Sequence, residues 1–172
     1  MIARLKGKLY EVNLTRCIID VNGVGYEVFI PMSTYDQMPR AGEDTALLIN
    51  TQVREDAITL YGFASQEEKD LFEILIATSG VGPKLALSIL SSLPVASFCT
   101  AIATGDLAVI KRISGIGKRT AERLIVELKD KMSKLLPPFT AASGAKPDTK
   151  AVAAEDALLA LEQLGFKRES LR

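Results

Sequence analysis

The sequence predicts an α+β multidomain protein: a β-barrel over residues 1–64, an all-α domain over 65–135, a flexible linker over 136–150, and an incomplete C-terminal helical domain over 151–172. Three observations carry this reading. Apolar residues alternate with period two as far as residue 63, and from Ser65 the period becomes helical. The stretch "PPFTAASGAKPDTK" that follows Leu136 is too poor in apolar residues to offset its chain entropy and reads as a linker.

Five strand-like runs come first: "IARLKGKLYEV", "RCIIDV", "GYEVFIP", "TALLINTQV" and "ITLYGF". Asn22-Gly23 between the second and third is the favoured pair for a tight hairpin, because both central residues of that turn take positive φ. Five strands in about sixty residues suit a small antiparallel barrel, with an oligonucleotide-binding (OB) type the natural candidate. In "SQEEKDLFEILIAT", Ser65 stands three residues before Glu68, the spacing of a capping box, and Leu71, Ile74 and Leu75 share one helical face. The segments "GPKLALSILSSL", "PVASFCTAIATG", "DLAVIKRI" and "GKRTAERLIVELKDKMSKLL" continue the helical pattern, giving about five short helices. Beyond the linker, "AVAAEDALLALEQLGF" has an apolar face at Ala154, Ala157, Leu158, Leu161 and Leu164, closed by Gly165. An isolated helix of this length is marginal in water. It reads as a docking peptide or as the start of a third small domain.

Composition narrows the chemistry. The chain has no histidine, which removes the commonest general base and zinc ligand, and with them any Ser-His-Asp arrangement. Cys17 and Cys99 match no metal or redox spacing and are expected to be reduced core residues; no metal or cofactor is expected. No run approaches the roughly 18 apolar residues of a membrane span, and the N-terminus alternates like a strand instead of showing a signal-peptide core. The expected compartment is the cytoplasm, with no membrane partner. The formal net charge of zero hides a division: residues 41–70 hold two basic and seven acidic side chains, whereas 111–134 hold eight basic and three acidic. Such asymmetry fits a nucleic-acid surface.

The helical region repeats itself. "SGVGPKLALSIL" (79–90) aligns with "SGIGKRTAERLI" (114–125) at an offset of 35 residues, pairing Gly80 with Gly115, Gly82 with Gly117, Lys84 with Arg119 and Ala86 with Ala121. The unit is helix, hydrophobic-glycine hairpin, helix. Glycines allow positive φ and close approach of the backbone to a ligand, and the second helix of each unit presents unpaired N–H groups and a positive dipole end. Lys118, Arg119 and Arg123 add charge around one turn, and Lys84 around the other. The partner indicated is an anion. A nucleotide P-loop is excluded, because Arg112 stands where the first glycine is required and Arg119 where Ser or Thr must follow Lys118. Neither hairpin follows a strand, as a dinucleotide fingerprint does. What remains is the phosphate backbone of a nucleic acid, held without reading bases. The alternative, a tight turn between packed helices and nothing more, is weakened by the second copy in the same register.

The tandem units look like helix-hairpin-helix motifs. Together with the barrel, "GVGYEV", "REDA..LYGF", "GVGPKLAL", "GIGKRTAERLI" and the terminal "LGF", the chain resembles the RuvA family, whose members are Holliday-junction-binding subunits of a branch-migration complex. The resemblance implies an OB-type barrel, a tandem helix-hairpin-helix domain and a small three-helix, UBA-like domain on a flexible linker. It implies a homotetramer, or an octamer, on which an open four-way junction lies. It implies phosphate contacts at Gly80, Gly82, Lys84, Gly115, Gly117, Lys118, Arg119 and Arg123, and an acidic pin at Glu55 and Asp56. By composition alone, "TQVREDAITLYGF" reads as an ordinary charged turn. The resemblance also implies a RuvB ring ATPase as partner, met by the segment containing Leu158, Leu161, Leu164 and Phe166, and allows a RuvC resolvase as a further one. The chain ends six residues after Phe166, so the expectation is a shortened third domain.

No intrinsic catalytic site is expected, and there is no Walker motif for ATP hydrolysis. A helix-hairpin-helix DNA glycosylase is the enzymatic alternative, with Lys84, Asp106 or Lys118 as nominees. It would require a pocket walled for an extruded base, and the helical region offers only Phe72 and Phe98. A non-specific DNA binder using barrel aromatics such as Tyr10, Tyr26, Phe29 and Tyr61 is the other alternative; core packing is the expected use of most of them.

Overall fold

Five strands close on themselves in the computed structural model, which describes residues 1–135. They are β1 (Arg4–Asn13), β2 (Arg16–Val21), β3 (Val24–Phe29), β4 (Asp44–Val53) and β5 (Ile58–Phe63), in the barrel order β1-β2-β3-β5-β4. The linker 136–150 and the segment 151–172, with Leu158, Leu161, Leu164 and Phe166, lie outside the described residues.

All strand pairs are antiparallel except β3 with β5, where Val28 lies opposite Leu60 and Phe29 opposite Tyr61. The expected hairpin turn is present: Asn22 has φ 54° and Gly23 φ 87°. Alternation directs Leu5, Leu9, Cys17, Ile19, Val28, Leu47, Ile49 and Leu60 into the barrel. The β1–β2 ladder slips between Leu9 and Glu11, so Tyr10 is the extra residue of a bulge and stands exposed. Tyr26, Phe29 and Tyr61 are half-buried.

A short helix that the alternation did not announce, α1 (Met32–Tyr35), follows β3. It brings Thr34 to α2 (Gln66–Ile76). Ser65 caps α2 as its spacing predicts, accepting from the Glu68 N–H at 3.2 Å. Glu68 does not complete the reciprocal box. Its buried Oε2 accepts from Thr34 Oγ1 at 2.9 Å and from the Ala64 N–H at 3.2 Å, tying α2 to the barrel. Phe72 of α2 extends the same junction, 5.0 Å from the Tyr61 ring and 4.9 Å from that of Phe63. Residues 1–135 consequently form one compact unit.

The remaining helices are α3 (Pro83–Ser92), α4 (Val95–Thr104), α5 (Leu107–Ile110) and α6 (Lys118–Leu135). Phe98, Ile102, Ile110, Leu124 and Leu128 fill their core. Burial pushes the Cys17 thiol up to about 12 and raises that of Cys99, which is only half-buried where the sequence suggested a core residue. Among the described residues no single helix is long and apolar enough to cross a membrane.

Candidate nucleic-acid interface

The two glycine turns have the same backbone construction. The Val81 N–H donates to Thr78 O at 3.1 Å and the Ile116 N–H to Ile113 O at 3.1 Å; the Ala86 N–H donates to Gly82 O and the Ala121 N–H to Gly117 O, opening α3 and α6. Val81 and Ile116, between the glycines, are buried and pin each turn to the core. Ala86 and Ala121 are fully buried, as close helix crossing requires.

The glycines within each pair differ in physical role. Gly80 (φ 83°) and Gly115 (φ 88°) occupy the left-handed region, which a side chain disfavours. Gly82 is the N-cap of α3 with extended backbone at φ −86°, and Gly117 has no positive φ. A Cβ at Gly82 or Gly117 would meet nothing within 4 Å. The first glycine of each pair therefore makes the turn. The second, Gly82, is the N-cap of α3 and makes no side-chain cap hydrogen bond, and Gly117 immediately precedes α6; neither brings a side chain to the start of its helix.

Each turn rests on the other motif's second helix. Ser88 Oγ of α3 donates to Ser114 O in the second turn at 2.9 Å, and a Cβ at Gly115 would lie 3.3 Å from Leu85 Cδ1. Across the pair, the Ser79 N–H of the first turn donates to Glu127 Oε2 of α6 at 3.3 Å. The sequence groups Arg123 with Lys118 and Arg119 around the second turn. The structure instead puts its guanidinium at the first, with Nη1 3.7 Å from a Cβ built on Gly80. This follows from the pseudo-two-fold arrangement, since Arg123 is the 35-residue counterpart of Ser88.

Lys84, Lys118, Arg119 and Arg123 are all exposed. Two of them have partners: Lys118 Nζ lies 4.0 Å from Glu122 Oε1, and Arg123 Nε donates to Glu127 Oε1 at 2.7 Å. Lys111 and Arg112, in the entry to the second turn, are exposed as well; in the sequence they belong to the basic segment, and their position just before a glycine hairpin is the signal that marks them.

Glu55 and Asp56 sit, exposed, at the tip joining β4 to β5, closed by the Arg54 N–H donating to Ala57 O at 2.8 Å. Burial raises the Tyr61 hydroxyl, and the charge of Arg54 partly offsets it. Val53 and Ile58, the last ladder pair below the tip, are also exposed, an apolar collar invisible to strand alternation.

Of the groups nominated for an enzyme, Asp106 is committed to a helix cap, while Lys84 and Lys118 are exposed. Asp106 Oδ1 caps α5, accepting from the N–H groups of Ala108 and Val109. Phe72 and Phe98 are fully buried. Among the described residues no group of three or more Cys, Asp or Glu side chains is placed to hold a metal ion.

Comparison with known proteins agrees with this construction. Residues 1–62 match the family described as RuvA N terminal domain, and residues 72–130 that described as SAM-like Helix-hairpin-helix tandem. The chain is 50% identical over 167 residues to a Holliday junction branch migration complex subunit RuvA of Geobacter sp. (strain M21), covering 97% of this chain and 84% of that protein. It is 48% identical over 168 residues to the protein of the same name from Acidobacterium capsulatum, covering 98% and 83% of the two chains. For that of Syntrophotalea carbinolica the figures are 46% over 175 residues, covering 100% and 86%. With the barrel, both hairpins and the order of the elements accounted for, the chain belongs to the RuvA family.

Proposed function

We propose that this chain binds four-way (Holliday) junction DNA through its phosphate backbone, holds the junction open and square-planar, and brings a RuvB ring ATPase to it for branch migration. The observation that carries the reading is the pair of glycine turns with the same hydrogen bonds 35 residues apart, each leading into a helix that a glycine immediately precedes. One such N-terminus offers only about 0.3–1 kcal/mol per charge–dipole contact. Two per chain, multiplied in a homotetramer, become tight binding through effective concentration. None of these groups reads a base edge, so the grip is independent of sequence.

Selectivity for a junction comes from the exposed tip. Four copies around a centre bring eight carboxylates of Glu55 and Asp56 toward the crossover. Like charges there repel phosphates, which disfavours continuous duplex and keeps separated strands apart. In the same reading, the contact with RuvB falls on the terminal segment containing Leu158, Leu161, Leu164 and Phe166. The chain supplies no ATPase motif, so the energy for movement comes from that partner.

The test is a gel-shift comparison of a synthetic four-way junction with linear duplex of the same arm sequences. Preference for the junction is expected. Equal affinity would overturn the reading.

A further inference from the structure

The sequence leaves the first glycine turn short of positive charge: its helix begins with Pro83 and contributes Lys84, whereas the second turn has Lys118 and Arg119 on its helix and Lys111 and Arg112 before it. The structure redistributes this charge. From the geometry we infer that Glu127 is a positioning residue, holding Arg123 of the second motif at the glycine turn of the first, so that one phosphate is gripped jointly by both motifs.

The two oxygens of one carboxylate face two ways. Oε1 accepts from Arg123 Nε at 2.7 Å, and Oε2 accepts from the Ser79 N–H at 3.3 Å. The first contact fixes the guanidinium by its inner nitrogen; the second fixes the carboxylate against the turn beside Gly80. The outer edge of the guanidinium is thereby left at the turn, with Nη1 3.7 Å from where a Cβ on Gly80 would sit. That edge carries the paired donors suited to a phosphate.

Helix stabilisation alone is a poor account of the pair. Arg precedes Glu in this i,i+4 arrangement, the less favourable order along a helix. The counterpart contact is also informative. At the equivalent place in the second motif, Ser88 reaches Ser114 O with a neutral hydroxyl, and the cations come from that motif's own helix. The first turn thus has two nearby cations, Lys84 of its own helix and Arg123 of the other motif, while the second has Lys118 and Arg119 on its helix and Lys111 and Arg112 before it. A missing charge in one motif is supplied from the other.

The inference rests on the DNA-binding reading, and a test on the full chain separates the two. Glu127→Gln removes a negative charge beside the phosphate site while keeping the side chain's shape. If Glu127 only neutralises Arg123, junction binding tightens. If it positions Arg123, binding weakens by about threefold or more, and its salt dependence becomes shallower, although the protein has gained positive charge. In an Arg123→Ala background, Glu127→Gln is then expected to cause no weakening. Lys84→Ala is expected to be non-additive with Arg123→Ala, whereas Lys118→Ala is additive with it. Circular dichroism and thermal unfolding establish that each variant is folded. Tightening by Glu127→Gln, equal weakening in both backgrounds, or coupling of Arg123 to Lys118 instead of Lys84 would each overturn the inference while leaving DNA binding intact. Wild-type junction binding unaffected by Lys84→Ala, Lys118→Ala and Arg123→Ala would overturn the DNA-binding reading and this inference with it.

Discussion

Replacing the glycines of each turn one at a time separates conformation from ligand approach. Gly80 and Gly115 have φ of 83° and 88°. Alanine in that region costs about 1–2 kcal/mol per site. Gly82 has φ −86°, Gly117 has no positive φ, and a Cβ at either meets nothing within 4 Å. Alanine there loses only the modest N-cap preference for glycine, about 1 kcal/mol or less. In the proposed DNA-binding reading a phosphate would meet that added methyl, because Gly82 and Gly117 immediately precede α3 and α6. Losing two contacts of about 0.3–1 kcal/mol each weakens binding by about 3- to 30-fold. The assay pairs urea unfolding with junction titration for Gly80→Ala/Gly115→Ala and Gly82→Ala/Gly117→Ala. The first pair should lower stability by about 2–4 kcal/mol; the second should lower it by about 2 kcal/mol at most and lose affinity. Wild-type affinity and salt dependence in a folded Gly82→Ala/Gly117→Ala protein would refute the idea that these glycines admit a phosphate.

Three further outcomes are expected. Glu55→Gln with Asp56→Asn should reduce the preference for a four-way junction over linear duplex by about tenfold or more, read by competition gel shift, with duplex affinity rising. Glu68→Ala should lower unfolding free energy by about 1–3 kcal/mol, because the fully buried Thr34 hydroxyl loses its carboxylate acceptor, whereas the Ala64 N–H keeps Thr34 Oγ1 at 3.1 Å; Glu68→Gln, which keeps one oxygen, should lose about half as much. The Cys17 thiol, raised to about 12 in the folded barrel, contributes stability that is present below the unfolded thiol's ordinary range and lost as pH rises toward 12. The unfolding free energy from urea titrations should accordingly fall above about pH 9, by up to roughly 1 kcal/mol per pH unit, with this component absent from Cys17→Ala.

Much of the fold was legible because its signals are local. Alternation in β1 to β5, Asn22-Gly23, the Ser65 cap and the change of period at residue 65 each involve residues within a few positions of one another. The repeat was legible for the same reason, since each turn is built from hydrogen bonds spanning three or four residues. What the sequence hid involves residues far apart. Helix α1 is four residues long, too short for periodicity to register, yet it is what takes Glu68 out of its capping box and binds it to Thr34, 34 positions away. The bulge at Tyr10 arises from the register between two strands.

The sequence by itself determined the barrel strands, the longer helices, the two glycine turns and the acidic tip, because dihedral preference, capping and side-chain alternation act over one or two turns of chain. The tertiary structure alone decided which glycine of each pair takes positive φ, and at which turn Arg123 lies. Arg123 belongs to the second motif by sequence and reaches the first in space, because the pseudo-two-fold packing lays each turn against the other motif's helix; the Ser79 to Glu127 contact spans 48 positions.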